Sequence, residues 1–215
     1  MFAHHRHRTG LFPLGRGLPF VLPALLVALA PATLRAQADD WCARARSDRE
    51  QICEVREFTA QLRNGAFAIN TGPNGSISVE EWEGRDVRIL ARVSAQARTE
   101  GAARDAFGAI SLRVGTGSFE TEGPRSLRNE SWSVSVRVQV PSGTDLTLST
   151  VNGSIQVAGV TGPVSGRTTN GSIAARDIRG RADLRTTNGG IRAHFDGPIP
   201  SDGEVRGELG GFEIR

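Results

Sequence analysis

Apolar and polar positions in the last part of the chain recur in columns eighteen residues apart. Three residues after Asn152, Asn170 and Asn188 stand Ile155, Ile173 and Ile191; five after stand Val157, Ala175 and Ala193. Four before stand Leu148, Gly166 and Leu184, and six before stand Leu146, Val164 and Ala182. Val160 and Ile178 fall eight after their Asn residues, and Asp196 then breaks that column. The phrases TVNGSI from Thr150, TTNGSI from Thr168 and TTNGGI from Thr186 keep the copies in register. Apolar residues alternate on both sides of each Asn-Gly, which is a strand pattern. A fixed period of this length predicts stacked repeats with a shared core.

Asn-Gly is a turn signal because both residues tolerate positive φ. Two arrangements fit it here. A hairpin meander would make successive strands antiparallel and would alternate two strand types. A wrapped coil would instead return to land about 4.8 Å above itself. The equivalence of the copies favours the coil. Asn152, Asn170 and Asn188 would then bond one another along the axis, as ladders of like amides do, with Gly153, Gly171 and Gly189 beside them. Asn74-Gly75 opens an upstream version of the phrase, Asn74 to Val79.

Other segments predict a mixed β region. Ala66 to Asn70 alternates, as do Val87 to Ala95 and Trp132 to Val140. Thr99 to Ile110 reads as the one helix, with Thr99 as its cap and Ala103, Ala106, Phe107 and Ile110 on one face. The predicted architecture is all-β: a single-domain, β-helix-like solenoid with 18-residue Asn-Gly coils, preceded by a strand region with one short helix. It divides into a signal peptide (1–38), a cysteine-bearing cap (39–57), the N-terminal β region (58–141) and the repeats (142–215).

The signal peptide alters the charge argument. A basic start, the apolar stretch Leu18 to Ala30 and the small-x-small site Ala36-Gln37-Ala38 predict export and cleavage after Ala38. No later apolar run is long enough to anchor the chain. All 26 basic residues are Arg, and Arg6, Arg8, Arg16 and Arg35 leave with the signal, so 22 face 23 acidic residues. Nucleic-acid binding needs a basic face, and that near-neutral balance argues against it. Cys42 and Cys53 are an even pair in an exported chain, so a disulfide is expected between them. Free thiols or a metal half-site are the alternatives, and no His lies near enough to support the metal.

No catalytic constellation emerges, and no cofactor or metal site is predicted. His194 is the only His after cleavage, at an outward position. Asp177, Asp183 and Asp196 occupy different columns with Arg176, Arg179, Arg181 and Arg185 between them, which reads as solvated ion pairs. A glycosidase would need two carboxylates facing each other across a cleft. Trp82, within Glu80-Glu81-Trp82-Glu83, reads as a ring folded onto the core at a turn, with sugar stacking as the sharper alternative. Thr150, Thr168 and Thr186 fall on inward positions.

Several segments together resemble a bacterial putative-adhesin family, a domain of unknown function built of β-strand repeats. They are Trp41-Cys42 with Cys53 to Phe58, Gly72-Pro73-Asn74-Gly75, Ser131 to Val134, Val138 to Pro141, and the three Asn-Gly phrases. The resemblance implies an exported β-solenoid, and "adhesin" there names a shape. Similar proteins continue into a further Asn-Gly coil, whereas here Gly210 to Ile214 reads as a shortened last strand. The expected function is a periplasmic or secreted envelope scaffold, without catalysis, that binds a protein or glycan. A carbohydrate-active enzyme and a self-assembling envelope element are the alternatives. Sequence does not set the oligomeric state. Intact mass of the exported protein is expected to match a chain that begins at Asp39 with both cysteines oxidised. A mass that retains residues 1–38, or thiol labelling without reductant, would reject this.

Overall fold

The computed structural model describes residues 41–42, 49–125, 130–197, 204–207 and 211–214; the signal peptide and its cleavage site lie outside the described residues. The strands are β1 (Glu50–Ala60), β2 (Ala66–Asn70), β3 (Ile77–Trp82), β4 (Val87–Ala97), β5 (Ser111–Gly115), β6 (Ser118–Glu122), β7 (Ser131–Pro141), β8 (Asp145–Ser149), β9 (Ile155–Ala158), β10 (Val164–Asn170), β11 (Ile173–Ile178), β12 (Ala182–Asn188), β13 (Ile191–Phe195), β14 (Glu204–Gly207) and β15 (Phe212–Ile214). One helix, α1 (Glu100–Gly108), interrupts them. Thr99 caps it by accepting a hydrogen bond from the Ala102 amide, and Ala103 and Ala106 are its buried face.

The strands form two open, mixed sheets. One has eight strands in the order β1-β4-β7-β3-β9-β11-β13-β15, the other seven in the order β14-β12-β10-β8-β2-β6-β5. Successive repeats pair in parallel, β8 with β10 and β10 with β12, and β9 with β11 and β11 with β13. This pairing rules out the hairpin meander. Each repeat places its first strand in the seven-stranded sheet and its second in the eight-stranded one. Six such tiers are visible among the described residues: β6–β7, β2–β3, β8–β9, β10–β11, β12–β13 and β14–β15. The β2–β3 tier stacks directly on β8–β9, with Ile77 opposite Ile155 and Asn74 bridged to Asn152. Both sheets therefore run unbroken across residue 142, so the division there marks sequence repetition.

Alternation buries one side of each sheet against the other. Ile77, Ile155, Ile173 and Ile191 form one inner column and are almost wholly buried, as are Phe67, Leu146, Leu148 and Leu184 opposite. Each such side chain contributes roughly 1.5–3 kcal/mol of apolar burial. Gly166 occupies the Leu148–Leu184 column, and the methyl ends of Leu184, Ile155 and Ile173 approach it.

The Asn-Gly corner has a different origin from the one the turn signal suggests. Of the eight Asn and Gly residues at the four corners, only Gly75 has positive φ (154°). Glycine stands there because the tiers touch backbone to backbone. A Cβ on Gly153 would overlap the carbonyl of Gly75, one on Gly171 that of Gly153, and one on Gly189 that of Gly171. The amides form the ladder: Asn188 Nδ2 donates to Asn170 Oδ1 and Asn170 Nδ2 to Asn152 Oδ1, both at 2.7 Å, and Asn152 Nδ2 to Asn74 Oδ1 at 3.1 Å. Asn152, Asn170 and Asn188 are exposed, and Asn74 is half-buried. Behind them the buried hydroxyls of Thr150, Thr168 and Thr186 donate to the carbonyls of Gly75, Gly153 and Gly171 at 2.8–2.9 Å.

The break at Asp196 also has a structural cause. The register of β11 against β13 shifts between Ala175 and Ile178, so Ile178 pairs with Phe195. Arg176 and Asp177 both lie opposite the single position of His194, which is a β-bulge. Asp177 takes φ 56°, and Gly159, one period earlier, takes φ 66°. Phe195 thus packs against the core where strict periodicity would have placed Asp196, and Asp196 accepts from Arg179 at 2.6 Å instead.

Antiparallel strands close one end. β4 pairs with β7, β1 with β4 and β5 with β6, and α1 packs on β4 and β1. A Cys42–Cys53 disulfide fastens the preceding segment to β1. Trp41 stands near the guanidiniums of Arg137 (4.3 Å) and Arg92 (5.6 Å), and Arg92 also donates to the Trp41 carbonyl. Burial, with Arg137 nearby, lowers the Arg92 pKa. At the other end β15 pairs with β13, Ile191 opposite Phe212, so the last segment does form a short strand.

Chemical denaturation separates these contributions. Gly171→Ala is expected to cost about 3 kcal/mol, because backbone must move to admit the methyl. Asn170→Ala breaks an exposed ladder and is expected to cost about 1 kcal/mol. Gly101→Ala, in a helix with open space around it, is expected to stabilise by about 0.5–1 kcal/mol. Equal stability of Gly171→Ala and Asn170→Ala would refute the stacking account.

Candidate functional site: a polar groove on the eight-stranded sheet

Long outward side chains surround a few small ones on the eight-stranded sheet. Register places Ser78, Gln156, Ala174, Arg192 and Glu213 side by side across five strands. Two residues further along, Glu80, Ala158 and Arg176 form a second row. Ala174 and Ala158 leave a dip between longer neighbours. The resulting open groove holds about 470 Å³ and includes Gln156, Ala174, Arg176, Asp177, Arg192, His194 and Glu213.

The β-bulge sits at one end of this groove. Asp177 Oδ1 lies 3.2 Å from His194 Nδ1, and Arg192 Nε donates to Glu213 Oε2 at 3.3 Å. Arg176 is exposed, and its guanidinium has no hydrogen-bond or ion-pair partner among the described residues. The groove therefore presents one uncommitted guanidinium beside the Gln156 amide and a His–Asp pair. It offers hydrogen-bonding groups throughout, and its apolar surface comes from alanine.

Beside the groove, a corner is built on Glu81. Its Oε2 accepts from the Thr161 amide (2.9 Å) and the Thr161 hydroxyl (2.7 Å). Thr161 Oγ1 also accepts from the Gly143 amide and meets Ser142 Oγ. Burial pushes the Glu81 carboxyl up, but these hydrogen bonds outweigh it and hold the group below its ordinary value.

The residues singled out from sequence do not assemble into a reacting centre. Asp177 belongs to β11 of the eight-stranded sheet, Asp183 to β12 of the seven-stranded sheet. Asp183 is paired with Arg181 at 3.2 Å and lies 3.7 Å from Arg185. Trp82 is not folded onto the core. Its ring lies against Gly84, the Arg88 guanidinium stacks over it at 3.7 Å, and its Nε1 donates to Asp86 O. Contacts with Gly84 and Arg88 occupy the ring, which leaves the sugar-stacking alternative without a free platform. The groove residues Gln156, Arg176, Arg192 and Glu213 went unrecognised as a set. The available signal was a pair of small outward residues, Ala158 and Ala174, among longer polar ones on adjacent strands.

No protein-family model and no curated protein matches the chain. Three solved structures show a shallow likeness. A putative cell adhesion protein from Clostridium sporogenes ATCC 15579 is 10% identical over 77% of this chain and 98% of its own, with TM-score 0.36. A putative adhesin from Parabacteroides merdae ATCC 43184 is 10% identical over 76% and 96%, with TM-score 0.27. A putative adhesin from Bacteroides fragilis NCTC 9343 is 12% identical over 77% and 97%, with TM-score 0.24. At this depth, function has to be argued from the chain's own geometry.

The Glu81 corner yields a pH test. A carboxyl held low in the folded state stabilises above its unfolded value, near 4.5, and loses that contribution as pH falls through the lower folded value. Glu81→Gln is thus expected to be less stable than the parent at neutral pH, with the gap closing as pH drops below about 4.5. Denaturation midpoints measured across that range check it; a gap independent of pH would contradict the carboxylate's role.

Proposed function

We propose that the chain is an exported, non-enzymatic β-solenoid of the cell envelope that binds a protein or glycan partner. The observation that carries this reading is the open polar groove laid across four in-register strands, β9, β11, β13 and β15. The groove residues are held by a ladder with Gly-to-carbonyl contacts at its corners, so they sit on rigid elements, as a binding surface requires. The coil reading is supported by six tiers that alternate between two sheets with parallel pairing throughout. Export is supported by the Cys42–Cys53 disulfide, which belongs to oxidising compartments. No helix among the described residues is long and apolar enough to cross a membrane.

The non-enzyme reading draws on the placement of the carboxylates. The pair considered for glycoside hydrolysis, Asp177 and Asp183, comes from different sheets, and Asp177 already faces His194. A dyad on one cleft is what such chemistry needs. The parent and the double variant Asp177→Asn with Asp183→Asn, assayed on a panel of envelope and plant glycans, are expected to show no turnover. Hydrolysis by the parent that the double variant loses would overturn the reading in favour of a carbohydrate-active enzyme.

A further inference from the structure

We propose that the bulged end of this groove is a subsite for a carboxylate-bearing sugar, a uronic-acid residue of an acidic glycan, with Arg176 as its anion contact. This deepens the binding reading above and rests on it.

Three features of the groove point to that ligand. The first is charge. The other ionisable side chains there have partners: Arg192 holds Glu213, and Asp177 holds His194. Arg176 alone among the groove's ionisable groups has none among the described residues. A planar guanidinium with open space beside it is built to take a carboxylate through two parallel N–H···O bonds. Ala174 and Ala158 supply that space, since each is a neighbour of Arg176, one along the strand and one across it.

The second is the bulge. It spends two residues, Arg176 and Asp177, against one, and Asp177 takes a left-handed φ of 56°. Bulges re-aim side chains at functional sites, and a non-glycine residue in that region carries strain. The preceding repeat reaches the same corner with Gly159, which adopts the conformation freely. Having Asp at this position places a carboxylate 3.2 Å from His194 at the mouth of the groove.

The third is the lining. Gln156, Asp177, His194, Arg192 and Glu213 present planar donors and acceptors at the spacing of neighbouring strands, about 4.8 Å. This suits a ligand dense in hydroxyls. Alanine is the groove's only apolar residue type, so the groove lacks the pocket for a bulky apolar anchor that peptide recognition relies on. A polar ring with one carboxylate fits both the free guanidinium and the amide-rich surroundings.

The test is calorimetric titration of the disulfide-bonded protein with trigalacturonate, its uncharged methyl ester and tetraglutamate. The acid is expected to bind, with the ester and the peptide at least about tenfold weaker. Arg176→Gln is expected to lose about tenfold or more for the acid, while Arg167→Gln, exposed on the other sheet, leaves affinity unchanged. Circular dichroism of both variants confirms the fold. Equal binding of acid and ester would overturn the carboxylate assignment and leave the scaffold reading intact. Tetraglutamate binding as tightly as the acid would overturn the sugar assignment. Unchanged affinity in Arg176→Gln would place the site elsewhere and overturn the proposal. Absence of binding to trigalacturonate, while other glycans on an array are captured, would sink this inference alone; capture of nothing from the array or from an envelope protein fraction would sink the binding reading too.

Discussion

The architecture depends on how closely successive tiers approach at one corner. There the backbone of Gly153, Gly171 and Gly189 presses against the carbonyl of the glycine one tier before, with no room for a side chain. That contact sets the register of both sheets, because the strands leave the corner in opposite directions along the chain. The Asn ladder and the Thr hydroxyls then satisfy groups that the tight corner would otherwise leave unpaired. Sheet pairing, core columns and the groove all inherit the spacing set at that point. A sheet whose register slipped by one residue would turn its apolar columns outward.

Stacked tiers end in unpaired strand edges, and the two ends treat this problem differently. At one end the β6–β7 tier is continued by antiparallel strands, a helix and a disulfide-fastened segment. Such edge management limits unwanted pairing with other chains. At the other end the described strands shorten, to four residues in β14 and three in β15. Short edge strands offer less template for foreign pairing. The groove lies toward this second end, on β9, β11, β13 and β15, away from the antiparallel cap.

Much of this was legible in the chain, for physical reasons that differ by residue. Ala66 to Asn70, Val87 to Ala95 and Trp132 to Val140 stand out because half-buried strands alternate by two. Thr99 marked the helix start because a hydroxyl is needed to satisfy an orphan amide. The Asn ladder could be anticipated from like residues at a constant period. The role of the glycines could not, since a turn demand and a stacking demand select the same residue. Asp196 looked like the end of the pattern because a bulge shifts register without changing composition. Trp82 misled because an aromatic ring buries equally well under a glycine and an arginine as in a core. The groove was hidden because outward residues carry no periodic constraint, and only register shows that Gln156, Ala174, Arg192 and Glu213 are neighbours.

The order of tiers in space is not their order along the chain. The β2–β3 tier lies between β6–β7 and β8–β9, and both of those neighbours come later in sequence. As the polypeptide emerges from a ribosome, this early tier has no partner on either side. Its hydrogen bonds reach across 58 and 59 residues to β7, as from Asn74 to Trp132 and from Ser76 to Ser135, and across 75 and 79 to the β8–β9 corner, as from Gly75 to Thr150 and from Pro73 to Asn152. Loops of that length close late and slowly. A chain built this way completes its first Asn-Gly corner only after the later tiers exist, and only then does that corner gain a floor to stand on.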